Sequence, residues 1–509
     1  MLRSTRWIVC LFTILIITLT LFHSSESLHQ PALKYYNHYL SSASSFPPSC
    51  PSVYDIGRPP LDHKEQKCTQ LQSRIPEFNA EICIDPGTCN EFTIHIWRVD
   101  QTECRNSEAV PDPSFIPEIS EWMRTQRGPD SFYIRTDGAE RYAKVLGKYE
   151  GNCSYVYDVR VKNPGDILLQ TWWTYGKYEG FSEIYDIWPE MHLLPVFEPL
   201  TLKGCSPECA AKSDVIPSMS RKVTVIPAPP TSWKDALPAC DGPDPILGSY
   251  IPLHPLDRLY PLYTNPEPFG VPVVGRYGFV PESCVWRHAG MRFGDHTACM
   301  QKKRKIFFIG DSHGRVAYDG VVHRLSGKNN VMTESEKIGN KFANVGNLDF
   351  EFLWDPRGSE FIGNPDRCNK LGNADVVVTS LGSHWANINV SDYLNEVPVI
   401  MNLLTECPYV PTTDAPSRTF IFLTLPAGPQ RQDEWAQRSK DHRTNIRSAY
   451  VTDAALKMAK DLGWSAVDHY SLTLPFSMEA LSVDMAHYLN NDALDPVLDE
   501  VIGKSGLCG

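Results

Sequence analysis

The pattern of hydrophobic and polar positions divides the chain into two parts that meet near residue 285. Before this point, apolar side chains recur at every second position, as at 92, 94 and 96 and again from 155 to 161. After it, short and continuously apolar runs alternate with stretches of helical periodicity. A period of two is typical of strands with one buried face, whereas the second pattern is typical of a parallel sheet covered by helices. The chain is therefore predicted to hold an all-β part followed by an α/β part.

The β part is predicted to span residues 83–199. The turn sequence Asn163-Pro-Gly-Asp166 joins the run at 155–161 to a further strand at 167–173. Two period-2 runs joined by a Pro-Gly turn predict a β-hairpin, and the region as a whole is interpreted as an antiparallel sandwich of immunoglobulin type. Residues 24–82 lack sustained periodicity and are interpreted as a stalk or lead-in. Residues 200–285 are rich in Pro, Gly and Cys and are interpreted as a linker tied by disulfides.

The α/β part is predicted to span residues 286–509. Apolar strands are predicted at 305–309, 375–381, 418–425 and 464–467. A helix is predicted from Gly314 to Leu325, and a second one has an apolar face between Ser448 and Leu462 and ends at Gly463. Strands and helices that alternate in this way predict a three-layer α/β domain with a parallel sheet.

The N-terminus carries an apolar run from Trp7 to Phe22, preceded by Arg3 and Arg6. The run is slightly shorter than the roughly 17–25 residues of a spanning helix. It predicts either an uncleaved signal anchor, which we favour, or a signal peptide within residues 1–23. The positive-inside rule then orients residues 1–6 to the cytosol and the rest to the lumen. We expect a single-pass type II protein of the Golgi or, if the segment is cleaved, a secreted one.

Composition narrows the class of function. The 509 residues are 42% hydrophobic and 21% charged, which excludes a mostly disordered chain. The net charge is −12, from 48 Lys and Arg against 60 Asp and Glu, and no basic tract is present. An acidic chain repels phosphate backbones, so no nucleic-acid partner is expected. The 41 prolines and 11% aromatic residues favour β-structure with long ordered loops.

The cysteines support the same compartment. Of the 15 cysteines, one lies in the apolar run, and the remaining 14 are dispersed along the chain. An even, dispersed set in a translocated chain predicts disulfides, with a connectivity that the sequence leaves open. The sequons at Asn152 and Asn389 are candidate glycosylation sites. No His-x-x-x-His or Cys-x-x-Cys spacing occurs, so no metal site is predicted.

One motif lies in a predicted turn between a strand and a helix, a position where active-site residues are often found. Gly310-Asp311-Ser312 follows the first apolar strand of the α/β part and precedes its first helix. Active sites of open α/β sheets lie at the carboxyl ends of strands. A serine there presents its hydroxyl at the edge of the sheet, and its backbone N–H at a helix N-terminus can stabilise an oxyanion.

A serine needs a base to become a strong nucleophile, and the sequence offers one near the C-terminus. Asp484 and His487 are three residues apart, so the carboxylate can orient the imidazole as in a Ser-His-Asp triad. A third block, Gly382-Ser-His384-Trp385, closes the second apolar strand and is expected at the same edge of the sheet. It is a candidate source of oxyanion donors or of pocket walls.

These blocks, in this order, resemble the SGNH (GDSL-like) superfamily. Gly310-Asp-Ser-x-x-Arg315 together with Ser380-Leu-Gly-Ser-His-Trp385 more narrowly resembles its PC-esterase branch. That branch includes neurexophilin and PC-esterase domain-containing proteins, which carry an immunoglobulin/filamin-like domain before the esterase, and trichome birefringence-like polysaccharide O-acetyltransferases. The resemblance covers roughly residues 85–509 and is strongest over 300–490.

The resemblance implies that Ser312 is the nucleophile, His487 the base and Asp484 its partner. Gly382, His384 and Trp385 would form the oxyanion hole or pocket, and Gly310, Asp311 and Arg315 would support the nucleophile loop. The chain departs from the superfamily because the usual Asn of the Gly-x-Asn-Asp block is absent and His384 lies in its neighbourhood. The middle oxyanion glycine is not identified, and Gly339 and Gly346 both remain open.

Other residues have ordinary explanations beside functional ones. Arg315 is either a substrate-binding cation or a structural donor, and we favour the structural role. His313 is interpreted as a loop residue rather than a second base. Trp172 and Trp173 are candidates to stack on a sugar, but at least one of them is expected in the core of the sandwich.

The function predicted from these observations is a carbohydrate O-acyl transferase, with O-acetyl as the group that the resemblance implies. Ser312 would carry the acyl group, and the acceptor would be a hydroxyl of a glycan or polysaccharide. No bound cofactor is expected, and the resemblance alone implies acetyl-CoA or another acyl donor as co-substrate. Residues 7–22 would contact the membrane. The alternatives are a glycan O-acetylesterase, or a non-catalytic protein that recognises a glycan or cell-surface partner and carries a degenerate esterase domain.

Overall fold

The computed structural model of the protein describes most of the chain beyond residue 66. The described residues are 67–84, 91–102, 104, 128–161, 166–176, 190–202, 238–252, 277–281, 284, 286, 299–326, 339–386, 390–411, 415–428, 443–478, 487–488 and 492–508. All of them fall within one compact unit. The predicted apolar run at 7–22 lies outside these residues. Among the helices that are described, none is both long enough and apolar enough to cross a membrane.

Two antiparallel sheets form the β part. The first sheet has the spatial order β1-β2-β3-β7-β6, and the second has the order β10-β8-β4-β5 with β9 paired to β8. The strands are β1 (Lys67–Leu71), β2 (Phe78–Ile84), β3 (Glu91–Arg98), β4 (Ser131–Gly138), β5 (Tyr142–Lys144), β6 (Lys148–Gly151), β7 (Ser154–Arg160), β8 (Ile167–Gly176), β9 (Glu190–Pro195) and β10 (Leu200–Leu202). Apolar side chains of both sheets pack into one cluster, with Ile94 and Tyr157 from the first sheet and Phe132 and Leu169 from the second. The pair therefore forms a sandwich with a shared core.

The predicted hairpin between residues 155–161 and 167–173 is wrong. Both segments are strands, but β7 pairs with β3 and β6 in the first sheet, while β8 pairs with β4, β9 and β10 in the second. Each strand turns alternate side chains into the same core, with Tyr155 and Tyr157 facing Ile167 and Leu169 across it. A period of two reports a buried face but not the partner strand, so a connection between sheets gives the same pattern as a hairpin.

The α/β part contains a six-stranded mixed sheet of order β14-β15-β13-β16-β17-β18. Its strands are β13 (Arg304–Gly310), β14 (Lys341–Val345), β15 (Leu348–Trp354), β16 (Val376–Ser380), β17 (Thr419–Leu423) and β18 (Ser465–Val467). Five strands are parallel, as expected, and β14 is an antiparallel edge strand. If the five parallel strands β13, β15, β16, β17 and β18 are numbered 1 to 5 along the chain, their order across the sheet is 2-1-3-4-5. The direction of winding therefore changes between β13 and β16.

Helices cover both faces of this sheet. Within the described residues they are α1 (Ser312–Ser326), α2 (Arg367–Leu371), α3 (Ser383–Ala386), α4 (Val390–Thr405), α5 (Asn445–Asp461), α6 (His469–Thr473) and α7 (Asp495–Lys504), with a 3₁₀ turn at Leu474–Phe476. Side chains of α1 and α7 pack on one face, where Ile306 and Phe308 are buried. Side chains of α2, α4 and α5 pack on the other face, where Phe307 and Ile309 are buried. The two faces confirm the α/β class.

The lead-in and the linker contribute more structure than their composition suggests. Strands β1 and most of β2 precede residue 83, so the first sheet begins inside the predicted stalk. In the predicted linker, β11 (Gly248–Pro252) pairs with β12 (Tyr277–Pro281), and Tyr250 and Phe279 belong to the same core cluster as α1 and α7. The Tyr250 hydroxyl also donates to the Leu472 carbonyl at 2.7 Å. Strands β11 and β12 of the predicted linker are therefore built into the α/β part, whereas β10 at its start belongs to the sandwich.

The sandwich and the α/β part share a small hydrophobic cluster. Tyr133 and Val145 of the sandwich pack with Ala427, Tyr470 and Leu474. The Tyr133 hydroxyl donates to the backbone carbonyl of Leu474 at 2.7 Å. The sandwich thus contacts and stabilises the helical segment that follows β18, which includes Tyr470 and Leu474.

Among the described residues, five disulfides confirm the predicted use of cysteine. They join Cys68 to Cys83, Cys104 to Cys153, Cys240 to Cys284, Cys299 to Cys508, and Cys368 to Cys407. Three of them lie in the α/β part and two in the sandwich. Disulfides of this number are typical of an oxidising environment, in the secretory pathway or outside the cell.

Candidate active site

The sheet brings three predicted blocks to one edge. Gly310 ends β13 and lies in register with Trp354 of β15 and with Ser380 of β16. The chain segments after these strands therefore meet at the carboxyl edge, at the point where the winding direction changes. Ligands of open α/β sheets bind in the crevice at this switch point.

Ser312 is the accessible residue of the turn between β13 and α1. It is half-buried, while Asp311 and His313 on either side of it are buried. The Asp311 carboxylate accepts hydrogen bonds from the amides of His313 at 2.9 Å and Gly314 at 3.4 Å, which caps the helix. Asp311 does not engage the amide of Ser312. That amide lies at a helix N-terminus, where a developing negative charge is stabilised.

The turn needs glycine at position 310. Its φ angle is +150°, and a β-carbon there would lie 2.2 Å from the Ser380 carbonyl oxygen. The amide of Asp311 donates to the same carbonyl at 3.3 Å. The backbones of β13 and β16 therefore approach closely just before Ser312.

His487 reaches this turn from the far end of the chain. Its ring centroid lies 4.8 Å from that of His313, the residue that directly follows Ser312. The neighbouring Tyr488 donates its hydroxyl to the Ala427 carbonyl at 2.9 Å, beyond the end of β17, and thereby holds the segment at the carboxyl edge. Asp484, the third member of the predicted triad, lies outside the described residues, so its role stays a prediction.

A buried ion cluster fixes the helices on either side of this pair. Arg324 of α1 donates to Asp495 at 2.6 Å and also to Asp499, both on α7. All three side chains are buried. Because α1 begins at Ser312 and α7 follows His487, this contact ties together the two segments that carry the candidate nucleophile and base.

The side chains of the block Gly382–Trp385, which follows β16, lie partly at the crevice and partly in the hydrophobic core. Gly382 packs against Leu425, where a β-carbon would meet the Leu425 β-carbon at 2.9 Å. His384 is the exposed member of the block. Trp385 is 4% exposed and belongs to the hydrophobic cluster beneath α4 and α5. Of the three residues predicted to shape the pocket, His384 is thus the one with a side chain in the open crevice.

The charges around the site act on its histidines and on Asp311. Burial raises the pKa of Asp311, and the imidazole of His384 is the strongest influence in the opposite direction. Partial burial lowers the pKa of His384, Asp311 raises it, and the Arg443 guanidinium lowers it further. Arg443 also donates to the Ser383 hydroxyl at 2.9 Å. Burial, with the neighbouring His487, holds the pKa of His313 well below its ordinary value, so His313 is a neutral wall of the site.

The two glycines left open for the oxyanion hole lie at different ends of the sheet. Gly346 lies in the turn between β14 and β15, at the amino end of β15 and therefore away from Ser312. Gly339 precedes β14 next to Asn340, whose side-chain oxygen accepts from the Trp354 amide at 3.0 Å. The topology favours Gly339 over Gly346.

The other residues predicted to have a role are a buried arginine, two tryptophans of the sandwich and two sequon asparagines. Arg315 is buried on α1, in keeping with a supporting role. Trp173 belongs to the core of the sandwich, while Trp172 is half-buried under the Arg135 guanidinium. Asn152 is exposed in the turn between β6 and β7, and Asn389 lies outside the described residues.

Sequence reasoning missed three residues at this edge: Trp354, Arg443 and His469. Trp354 ends a strand with alternating apolar side chains, so the period-2 signal for it was present in the sequence. His469 follows β18, and its ring centroid lies 6.2 Å from that of His313. Arg443 had no local signal, because its nearness to Ser383 depends on the tertiary fold.

His469 makes the fold sensitive to acid. Burial lowers the pKa of this imidazole to about 3, although the backbone of Thr424 opposes the shift. As the pH falls below about 6.5, the unfolded chain binds a proton at this position that the folded chain does not bind. We expect the free energy of unfolding to lose roughly 3 kcal/mol between pH 7 and pH 4 from this group alone, since each pKa unit is worth about 1.4 kcal/mol.

Replacing His469 by Phe and by Asn tests this expectation in urea unfolding at several pH values. Both substitutions remove the titration, so both should flatten the dependence of stability on pH, even though they differ in packing. A wild-type slope in both variants would contradict the assignment.

Among the described residues, one group of three potential metal ligands lies close together: Cys68, Glu81 and Cys83. Two of its members are joined in a disulfide, which removes their thiolates from coordination. The group lies in the sandwich, away from the crevice.

Comparisons with known proteins find similarity at the level of solved structures. No protein-family model and no curated protein matches the chain. A lipase/acylhydrolase from Enterococcus faecalis is 17% identical with a TM-score of 0.27, and the match covers 39% of this chain and 93% of that one. A catalytic mutant of the acetylxylan esterase Axe2 from Geobacillus stearothermophilus is 12% identical with a TM-score of 0.26, covering 40% and 94%. The native aryl esterase of M. smegmatis is 14% identical with a TM-score of 0.25, covering 39% and 98%.

Proposed function

We propose that the chain is a serine-dependent acyl-transfer enzyme in which Ser312 carries the acyl group. One observation carries the proposal: the ring of His487 lies 4.8 Å from that of His313, directly after Ser312, although His487 comes from the opposite end of the domain. A half-buried serine at a helix N-terminus at the switch point of the sheet, with His487 against the residue that follows it, supports nucleophilic catalysis by Ser312.

In the first step, the Ser312 hydroxyl attacks the carbonyl carbon of an acyl donor while His487 accepts the hydroxyl proton. The oxyanion that forms is stabilised by the Ser312 amide at the N-terminus of α1. The bond to the donor's leaving group then breaks, and His487 gives its proton to that group. By the resemblance, Asp484 orients the His487 imidazole and stabilises its charged form.

In the second step, His487 accepts a proton from an acceptor hydroxyl, whose oxygen attacks the acyl carbon. The bond between the acyl carbon and the Ser312 oxygen breaks, and the proton returns to Ser312. A sugar hydroxyl as acceptor makes the enzyme a transferase, and water makes it an esterase. Both outcomes share the acyl-serine, so the choice between them depends on how well the acceptor site holds a sugar and excludes water.

The finer proposal is a carbohydrate O-acetyltransferase of the secretory pathway. It is supported by the resemblance of Gly310–Arg315 and Ser380–Trp385 to the PC-esterase branch, whose members add or remove O-acetyl groups on glycans. Acetyl-CoA is the proposed donor. We further propose that residues 7–22 anchor the chain as a type II protein of the Golgi and that the sandwich is of the immunoglobulin/filamin-like type.

The test is covalent labelling of the purified full-length chain with a fluorophosphonate or an activated acetyl ester, followed by intact-mass analysis and peptide mapping. We expect one adduct, located on Ser312, and none on Ser326 at the other end of the same helix. Heat-unfolded protein should remain unlabelled, because the reactivity depends on the folded site. A folded protein that forms no adduct, or forms it elsewhere, would contradict serine-based acyl transfer and favour a non-catalytic recognition protein.

A further inference from the structure

Trp354 lies beside the candidate nucleophile in the sheet. It is the last residue of β15 and pairs in register with Gly310, two residues before Ser312. The amide of the next residue, Asp355, donates to the Gly310 carbonyl at 3.1 Å, which keeps the ends of the two strands together. Phe350 and Phe352 occupy the alternate positions before it and are buried in the core under α1. Trp354 continues this row to the edge of the sheet, where it is half-buried.

The indole of Trp354 forms one wall of the crevice. Its ring centroid lies 6.1 Å from that of His384, and the two rings are nearly perpendicular, at 88°. His384 in turn acts electrostatically on Asp311, the residue directly before Ser312. Arg357, which is exposed in the turn after β15, also acts on His384. An aromatic face, an imidazole and a cation therefore lie near one another at the carboxyl edge of the sheet, where Ser312 also lies.

The environment of Trp354 differs from that of a core tryptophan. Trp385, in the next block along the sheet, is buried in a hydrophobic cluster. Trp354 is only partly covered, and its indole N–H donates no hydrogen bond to any other described residue. A tryptophan with one packed side, one accessible side and an available N–H suits a ligand that is apolar on one face and carries hydroxyls at its rim. A pyranose ring has this character.

We infer that Trp354 forms the acceptor subsite and decides how the acyl-serine divides between a sugar hydroxyl and water. The inference rests on the proposed function of Ser312. A sugar ring that stacks on Trp354 brings a hydroxyl to the acyl carbon and displaces water from the crevice. That hydroxyl gives its proton to His487, its oxygen bonds to the acyl carbon, and Ser312 leaves with the proton. When the subsite is empty, water reacts by the same steps and releases the free acid.

The experiment measures this division in the full-length chain, with methanol as a small acceptor that represents water. The donor is p-nitrophenyl acetate, and the acceptors are methanol and an equimolar mixture of the methyl glycosides of glucose, galactose, mannose and xylose. Wild type is compared with Trp354→Ala and Trp354→Phe. The control is Phe342→Ala, which removes an aromatic side chain that is 71% exposed on the neighbouring strand β14. The initial release of p-nitrophenol reports formation of the acyl-serine, and NMR of the products gives the ratio of acetylated glycoside to methyl acetate.

In Trp354→Ala, we expect the ratio of acetylated glycoside to methyl acetate to fall about tenfold, the loss of one good aromatic contact. The initial release of p-nitrophenol is measured in the same variant, because it reports separately how fast the acyl-serine forms. Trp354→Phe should keep most of the ratio, and Phe342→Ala all of it. A merely structural role for Trp354 would instead slow the release of p-nitrophenol and leave the ratio of the two products unchanged.

Three results would overturn the inference and are distinguishable from one another. An unchanged ratio in Trp354→Ala would show that the indole does not bind the acceptor. Formation of acetyl-Ser312 in wild type without any acetylated glycoside would remove the sugar subsite and leave the serine chemistry intact. Absence of an acyl-serine in folded wild type would refute the proposed function itself, and the inference with it.

Discussion

Replacement of Ser312 by Ala is expected to abolish the covalent adduct and to lower the hydrolysis of p-nitrophenyl acetate by a factor on the order of 10⁴ or more. The reason is that the proposed reaction has no route that avoids the acyl-serine. The Ser312 side chain makes no hydrogen bond to another described residue, so the substitution should leave the fold intact. Near-ultraviolet circular dichroism and urea unfolding check that the variant is folded.

His487→Ala should cause a loss of similar size, because a serine hydroxyl without a base is a weak nucleophile. The double variant is the sharper test. Residues that act as one unit are not additive, so Ser312→Ala combined with His487→Ala should be no slower than Ser312→Ala alone. A further loss in the double variant would show that His487 acts independently of Ser312, contrary to the proposed mechanism.

Ser326→Ala is the matched control for these variants. Ser326 is the last residue of α1, and its hydroxyl donates to the backbone carbonyl of His323 at 3.2 Å, far from the crevice. It should keep wild-type labelling and turnover. If Ser312→Ala retained the adduct while Ser326→Ala lost it, the nucleophile would have been assigned to the wrong end of the helix.

Local patterns predicted the central elements of the sheet because those elements are buried. The strands expected at 305–309, 375–381 and 418–425 appear as β13, β16 and β17 with ends shifted by a few residues, since a continuous apolar run is required of any strand covered on both faces. The same logic failed for β14 and β15, which went unpredicted. Their side chains are mixed because β14 is an exposed edge, and Phe342 on that strand is largely in solvent.

The position of the site followed from order along the chain, but its walls did not. Gly310-Asp311-Ser312 after one strand and Gly382–Trp385 after another already indicate a shared edge of a parallel sheet. The orientation of individual side chains depends on packing between elements. Trp385 turned out to be a core residue, whereas Trp354, two strands away, borders the crevice. A single sequence contains no local pattern that shows which of the two tryptophans is in the core and which is at the crevice.

Position 310 must be glycine for a steric reason that the composition of the chain could not reveal. Of the glycine-to-alanine substitutions at the site, Gly310→Ala is expected to lower stability and turnover the most. The new β-carbon would lie 2.2 Å from the Ser380 carbonyl oxygen, which is backbone and cannot rotate away, and the φ angle of +150° disfavours any side chain. Strain and overpacking together should cost roughly 3 kcal/mol or more of unfolding free energy. Movement of the turn by about 1 Å would also lower turnover by roughly 10²-fold in the fraction that folds.

Alanine substitutions at two other glycines distinguish the backbone cost of a positive φ angle from the cost of a steric clash. Gly463, at the end of α5, has a φ of +70° but open space around its α-carbon, so Gly463→Ala should show only the backbone cost of roughly 1–2 kcal/mol and full turnover. Gly314, on α1, would bring a β-carbon within 3.1 Å of the Ser380 side chain, which has some room to adjust, so Gly314→Ala should be intermediate in stability. Urea unfolding and p-nitrophenyl acetate turnover of the three variants give the order. If Gly310→Ala were no worse than Gly463→Ala, the close approach of β13 and β16 would not be what positions Ser312.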